Sequence, residues 1–167
     1  DITSLEYAFS NSQASELDFS NKDLSKCKNL NYAFAQCSML KTVDFTNCNL
    51  KPTQATMSFS QTGSSRLLVS IKGTIDVEAI KNTNLTILNN NASSAPNNLE
   101  EIYLKNFIAT RIDLSLFPKL LHECLVFLLQ NALETTTTRV INMGPDNTAK
   151  LTPEEIAIGT NKGYTIS

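Results

Sequence analysis

Two near-copies set the architecture of the first third of the chain. One runs Leu5-Glu6-Tyr7-Ala8-Phe9 and then Leu17-Asp18-Phe19-Ser20-Asn21. The other runs Leu30-Asn31-Tyr32-Ala33-Phe34 and then Val43-Asp44-Phe45-Thr46-Asn47. The Tyr-Ala-Phe blocks lie 25 residues apart and the Asp-Phe blocks 26. Self-similarity at that period is the sequence signature of a solenoid, whose units bury their apolar sides against one another. Solenoids present extended surfaces suited to binding, so the repeat also frames the question of function.

Within each copy, Leu17 and Phe19 alternate with Glu16, Asp18 and Ser20, and Val43 and Phe45 with Thr42, Asp44 and Thr46. That period of two predicts half-buried strands. A degenerate third copy follows. Phe59 sits 25 residues after Phe34, and Val69 and Ile71 sit 26 after Val43 and Phe45, which predicts a strand from Arg66 to Lys72. Leu5 to Phe9 and Leu30 to Phe34 fit short helical or 3₁₀ turns packed on the strands. Asn21, Asn47 and Asn49 follow strands, where Asn turns the chain and satisfies backbone groups.

From residue 73 the register drifts. Ile75, Val77 and Ile80 predict a short helix around Asp76–Lys81, and Leu85, Ile87 and Leu88 the next strand. Residues 89–98 form the most loop-like stretch, a surface loop within the array. Leu99, Ile102 and Leu104 restore the pattern. Ile112 and Leu114 then make a second strand so soon that an inserted β-extension or hairpin is expected.

The C-terminal third changes texture. Pro118 opens an apolar helix through Leu120, Leu121, Leu125, Leu128, Leu129 and Leu133, ended by the threonines at 135–138. A strand over Arg139–Met143 puts Ile141 and Met143 inward, and Gly144-Pro145 breaks it. Thr152-Pro153-Glu154-Glu155 is a helix start, with Thr as N-cap, Pro at the first position and Glu closing a capping box. Ile156, Ala157 and Ile158 supply the apolar face, Gly163 the C-cap and Tyr164-Thr165-Ile166 a last edge strand. Such a block suits the terminal unit that a solenoid needs to close its core.

Composition narrows the classes. With 41% hydrophobic residues, the 167-residue chain has enough apolar side chains for a core. A net charge of -2 gives no footprint for nucleic acid or an anionic membrane. The apolar stretch at Leu125–Leu129 is too short to span a bilayer. Cys27, Cys37, Cys48 and Cys124 match no zinc spacing, and His122 is the only histidine. Cys37 takes the column held by Ser12 one copy earlier, a small semi-buried position. No metal or cofactor is expected. The chain starts at Asp1, inside a repeat, which is expected of a processed or truncated product.

Two segments resemble a known family. Phe34, Cys37, Leu40, Val43, Asp44, Phe45 and Asn47 match the BspA-type leucine-rich repeat of bacterial surface proteins: an aromatic, a cysteine, then Leu-x-x-Leu-Asp-Leu-Ser-Asn. Residues 147–166 are similar to the ending of repeat proteins from gut bacteria and their phages. Tyr164 stands where those have Trp, and Gly159 where a helix-favouring Ala is common, so a weaker last helix is expected. The resemblance implies a surface-exposed adhesion or recognition role, on a cell envelope or a phage virion, and carries over no catalytic residue.

Together these readings predict an α/β chain: a right-handed leucine-rich repeat solenoid with short parallel strands on one face and short helices and turns on the other. Residues 1–116 form the array, degenerate after 72. Residues 117–167 form a helix-strand-helix-strand capping unit of the same solenoid. His122 lies beside Glu123 and Cys124, but neighbours one and two positions on do not share its helix face, so it reads as structural. Asp18 and Asp44 stack about 4.8 Å apart, close enough for acid/base work, although solvated repeat positions explain them too.

The expected binding face comprises Glu16, Asp18, Ser20, Thr42, Asp44, Thr46, Ser70, Lys72, Glu101, Tyr103, Lys105, Arg111 and Asp113, with Tyr103 the best single anchor. The sequons at Asn84 and Asn91 matter only in a eukaryotic secretory setting. The expected function is non-enzymatic and extracellular: adhesion to, or recognition of, a host or bacterial surface protein or glycan. The alternative is a phage tail or fibre component. Membrane insertion is not expected. The first repeat, with no cap before Leu5, is expected to expose apolar core that upstream residues, a partner or a second copy of the chain covers.

Overall fold

Leu17, Val43, Ile71 and Ile102 each sit at an inward position of a short strand and lie side by side. The computed structural model describes residues 1–60, 67–81, 83–88 and 97–167. Its elements are β1 (Glu16–Asp18), β2 (Thr42–Asp44), β3 (Ser70–Asp76), β4 (Asn84–Leu85), β5 (Glu101–Lys105), β6 (Arg111–Asp113), α1 (His122–Asn131), β7 (Arg139–Asn142), α2 (Gly144–Thr148), α3 (Pro153–Asn161) and β8 (Tyr164–Ile166). The class is α/β with parallel pairing throughout. The strands form two sheets, however, ordered β1-β2-β3-β5 and β4-β6-β7-β8, where a single strand face was expected.

The first sheet carries the early repeats. Leu17 pairs with Val43 at a 26-residue offset, as the sequence implies, but Val43 pairs with Ile71, not Val69. The slip is two residues, so the inward and outward faces are kept. The third strand accordingly starts at Ser70 and runs on to Asp76; Arg66 lies outside the described residues. A bulge at Lys72-Gly73 then separates the pairs Ile71–Ile102 and Thr74–Tyr103. Gly73 has φ +79°, and a Cβ there would meet the Phe45 carbonyl carbon at 2.5 Å. The bulge therefore requires glycine.

Opposite the early strands run turns, not helices. Tyr7, Tyr32 and Met57 all adopt positive φ (53°, 54° and 48°). That conformation breaks any helix and aims later N–H groups at the next copy: Phe9 donates to the Ala33 carbonyl and Phe34 to that of Ser58. Ser4, Asn29 and Gln54 are linked by parallel bridges, and Met57 and Phe59 donate to the carbonyls of Thr86 and Ile87 beside β4. This turn column thus leads into the second sheet. Asn21, Asn47 and Asn49 turn the chain with positive φ, as expected.

Identical rings fill the space between. Phe9, Phe34 and Phe59 stack with centroids 5.6 and 5.1 Å apart, Phe19 on Phe45 at 5.4 Å, and Tyr7 on Tyr32 at 5.0 Å. Cys37 is fully rather than partly buried, Cys48 is buried too, and their thiols donate to the carbonyls of Phe9 and Phe19. Leu5 is buried, while Phe9 and Leu17 are half-buried. The large apolar side chains exposed at the first repeat are Ile2 and Tyr7.

Four expectations fail after residue 73. No helix forms at Asp76–Lys81: Asp76 ends β3, and its carboxylate accepts from the Glu78 N–H to turn the chain. The strand expected through Leu88 is confined to Asn84–Leu85, with Ile87 and Leu88 buried in the turn after it. No hairpin joins β5 and β6, because one strand serves each sheet. The apolar helix starts at His122, not Pro118, and Leu133 lies past its end. Asn89 to Pro96, including the Asn91 sequon, lie outside the described residues.

Helices replace strands where the first sheet stops. Leu121, just before α1, donates to the carbonyl of Glu100, just before β5, and α3 packs on α1. Gly144-Pro145 ends β7 but also starts α2, a helix the sequence did not announce. The expected capping box of α3 is present in both directions between Thr152 and Glu155. Gly159, also in α3, is buried against Leu129 and Ile166, so a packing demand explains the glycine.

Candidate functional site

The outward side chains of the first sheet fall into rows. Glu16, Thr42, Ser70 and Glu101 are aligned by register, and so are Asp18, Asp44 and Lys72. Glu16, Asp18 and Lys72 are exposed and the others half-buried. Ser70 Oγ donates to Glu101 Oε2, which joins β3 to β5. Thr46 follows β2, and its N–H donates to Asp44 Oδ1. Ser20 does the same for Asp18 at 2.7 Å.

The aspartates share one structural task. Asp18, Asp44, Asp76 and Asp113 each end a strand, and each accepts from the N–H two residues on, the local turn that Asp favours. Hydrogen bonds from Ser20 lower the Asp18 carboxyl pKa. Burial pushes Asp113 up, but bonds from Ser115, Asn142 and Arg111 outweigh it and hold the group low. Both carboxylates are therefore charged and engaged, as turn acceptors need to be.

The expected face does not stay whole. Arg111 and Asp113 belong to β6 in the other sheet, where they pair with each other at 3.2 Å. Tyr103 is packed edge-on against Phe127 of α1, and burial together with Cys124 pushes its phenol up to about 12. Helix α1 thus packs against the residue expected to anchor a partner and leaves it half-buried. His122 is half exposed, with Nε2 3.0 Å from Glu155 Oε1, and ties α1 to α3. Burial raises the pKa of all four free thiols, which suits packing and not nucleophilic attack. Among the described residues, no group of three or more His, Cys, Asp or Glu could hold a metal ion. Among them, too, no helix is long and apolar enough to cross a membrane.

A pocket of about 280 Å³ opens at the carboxyl ends of β2, β3 and β5. Its polar lining comes from Thr46, Asn47, Asn49, Lys51, Thr74, Asp76 and Lys105. Asp76 is only 3% exposed; it accepts from Asn106 Nδ2 at 3.0 Å and pairs with Lys51 Nζ at 3.3 Å. Burial pushes this carboxyl up, yet the Glu78 N–H, Asn106 and Lys51 together bring it below its ordinary value. The positive φ of Asn47 and Asn49 and the Gly73 bulge shape the rim. Of the lining, the expected face included Thr46 and Lys105 but missed the pocket. A signal was present: Lys51, Asp76 and Lys105 recur at about one repeat period, each after a strand or at its end.

No protein-family model, no curated protein and no solved structure matches this chain.

Proposed function

We propose that the chain is a leucine-rich repeat solenoid acting as a non-enzymatic recognition module on an extracellular surface, similar to BspA-like proteins of gut bacteria or their phages. Its partner is a surface protein or a glycan. The observation that carries this reading is the aligned outer face of the first sheet, where Glu16, Thr42 and Ser70, and beside them Asp18, Asp44 and Lys72, repeat at strand spacing. Rows of that kind offer one continuous surface to a partner. The face ends at α1, so β1, β2 and β3 supply most of it. Glycan arrays and pull-downs from surface material test the reading. Binding that is lost in Thr42→Arg supports it; no partner at high micromolar concentration overturns it.

The second reading is a structural or receptor-binding component of a phage tail or fibre. It is favoured by the first repeat, where Ile2 is 44% and Tyr7 56% exposed, a patch suited to self-association. A stable trimer in solution supports the fibre reading, and a monomer the cell-surface one.

A further inference from the structure

The pocket at the carboxyl ends of β2, β3 and β5 differs from the rest of the first sheet. The face is a set of rows open to water. The pocket is concave and has a floor: the buried Asp76 carboxylate, fixed from three sides by the Glu78 N–H, Asn106 and Lys51.

Charge selects the ligand. Asp76 neutralises Lys51, whereas Lys105 has no ion pair among the described residues. The lining is therefore one positive charge in excess, in a chain whose net charge is -2. The remaining groups are hydroxyls and amides. Asn47 Nδ2 donates one hydrogen to Asn21 Oδ1, which leaves its second N–H and its carbonyl oxygen, and Thr46, Asn49 and Thr74 offer further donors and acceptors. A singly charged anion rich in hydroxyls satisfies such a set. The volume sits at the lower limit for small-molecule pockets, which suits one sugar ring and not an extended chain.

We propose that this pocket binds one acidic sugar unit, a hexuronate or a similar carboxylated pyranose, with Lys105 receiving the carboxylate and Thr46, Asn49 and Thr74 the ring hydroxyls. The proposal deepens the recognition reading and rests on it: the sugar would be the acidic residue of a surface glycan.

The test is an amide-resolved NMR titration of the full chain with sodium glucuronate, glucose and sodium acetate in parallel. The expected result is saturable shifts with glucuronate, on the order of millimolar affinity, confined to Thr46, Asn49, Gly73, Thr74 and Lys105. Glucose and acetate should each bind at least fivefold more weakly. Lys105→Met should weaken glucuronate about tenfold, the loss of one charge-assisted contact. Lys81→Met, which removes an exposed lysine outside both the pocket and the outer rows of the first sheet, should leave affinity unchanged. Lys105 lines the pocket and is half-buried, so the amide spectrum of the variant is compared with the parent's as the check on its fold; Thr74→Val is the second variant, expected to weaken glucuronate more than acetate.

No shifts at the pocket, equal binding of acetate and glucuronate, or an unaltered Lys105→Met variant would each overturn the proposal. The titration reads the pocket alone. A chain that captures a surface partner through its Thr42 face, yet gives no glucuronate shifts, keeps the recognition reading and loses this one.

Discussion

Between Leu5 and Phe59 the chain puts its strands in the first sheet and its turns opposite. From Arg111 to Ile166 it does the reverse, with α1 and α3 following the strand column and β6, β7 and β8 following the turn column. The two regions are held differently. Strands about 4.8 Å apart let identical rings stack, and the early region uses that in its Phe and Tyr ladders. Helices are about 10 Å wide, so no such ladder can cross α1 and α3. The late region uses polar clamps instead. Lys162 Nζ donates to the carbonyls of Leu129, Gln130 and Ala132 at the end of α1. Buried Asn147 donates to Leu114, Phe117 and Met143, and the Tyr164 hydroxyl sits against the carbonyls of Phe107 and Leu133.

Breaking the ladder should have the largest effect. Phe34 touches four rings (Phe9, Phe19, Phe45 and Phe59). Phe34→Ala should cost about 3–5 kcal/mol by chemical denaturation. A cost below about 1 kcal/mol would mean that the rings do not hold the early region together.

Removing a clamp should cost less and act locally. Lys162→Met leaves three carbonyls at the α1 terminus without their cation, a loss of about 1–3 kcal/mol. Amide exchange should speed up in the last turn of α1 while the strands from β1 to β3 stay protected. Uniform loosening would make the two regions one cooperative unit.

Acid should weaken both regions through the same kind of group. Asp76 and Asp113 have lowered folded-state pKa values. Their contribution is fully present above the unfolded value of about 3.9 and is lost as pH falls through the folded values. Stability curves of Asp76→Asn and Asp113→Asn measured from neutral pH down to about pH 2 should be shallower below pH ~4 than that of the parent. Parallel curves would remove these carboxylates as the acid-sensitive groups.

The smallest effect lies within the early ladder. Ser58 is fully buried, its Oγ lacks a hydrogen-bond partner among the described residues, and Ala33 holds the same column one copy before. Ser58→Ala should raise stability by about 0.5–1 kcal/mol. A drop on thermal unfolding would show that the hydroxyl is engaged.

What was legible followed from periodicity. The Phe34–Phe59 stack, the Leu17–Val43 pairing, the Thr152 capping box and the Tyr164 strand were all visible in the sequence, because each is a local pattern or a fixed interval. The exchange of columns was not. Ile112 alternates with polar neighbours just as Val43 does, and alternation reports which side is buried, not which strand is the partner. Ile75, Val77 and Ile80 mislead for a related reason: their spacing fits a helix, while the structure puts Ile75 in a strand, Val77 directly after it and Ile80 beyond the turn. The candidate face was legible as far as β3. Beyond it, α1 packs against Tyr103, and the pocket depends on Lys51, Asp76 and Lys105, far apart in sequence and alike only in their place in the repeat.

The two-residue slip before β3 and the two-residue bulge within it have a consequence for how such a chain tolerates changes of length. Each leaves Ile71 and Ile75 inward, because adding a pair of residues returns the strand to the same side. An odd insertion at the same place would turn Ile75 to solvent and bury Thr74. Growth or shrinkage inside these strands is thus a matter of parity: the array accepts even steps and rejects odd ones.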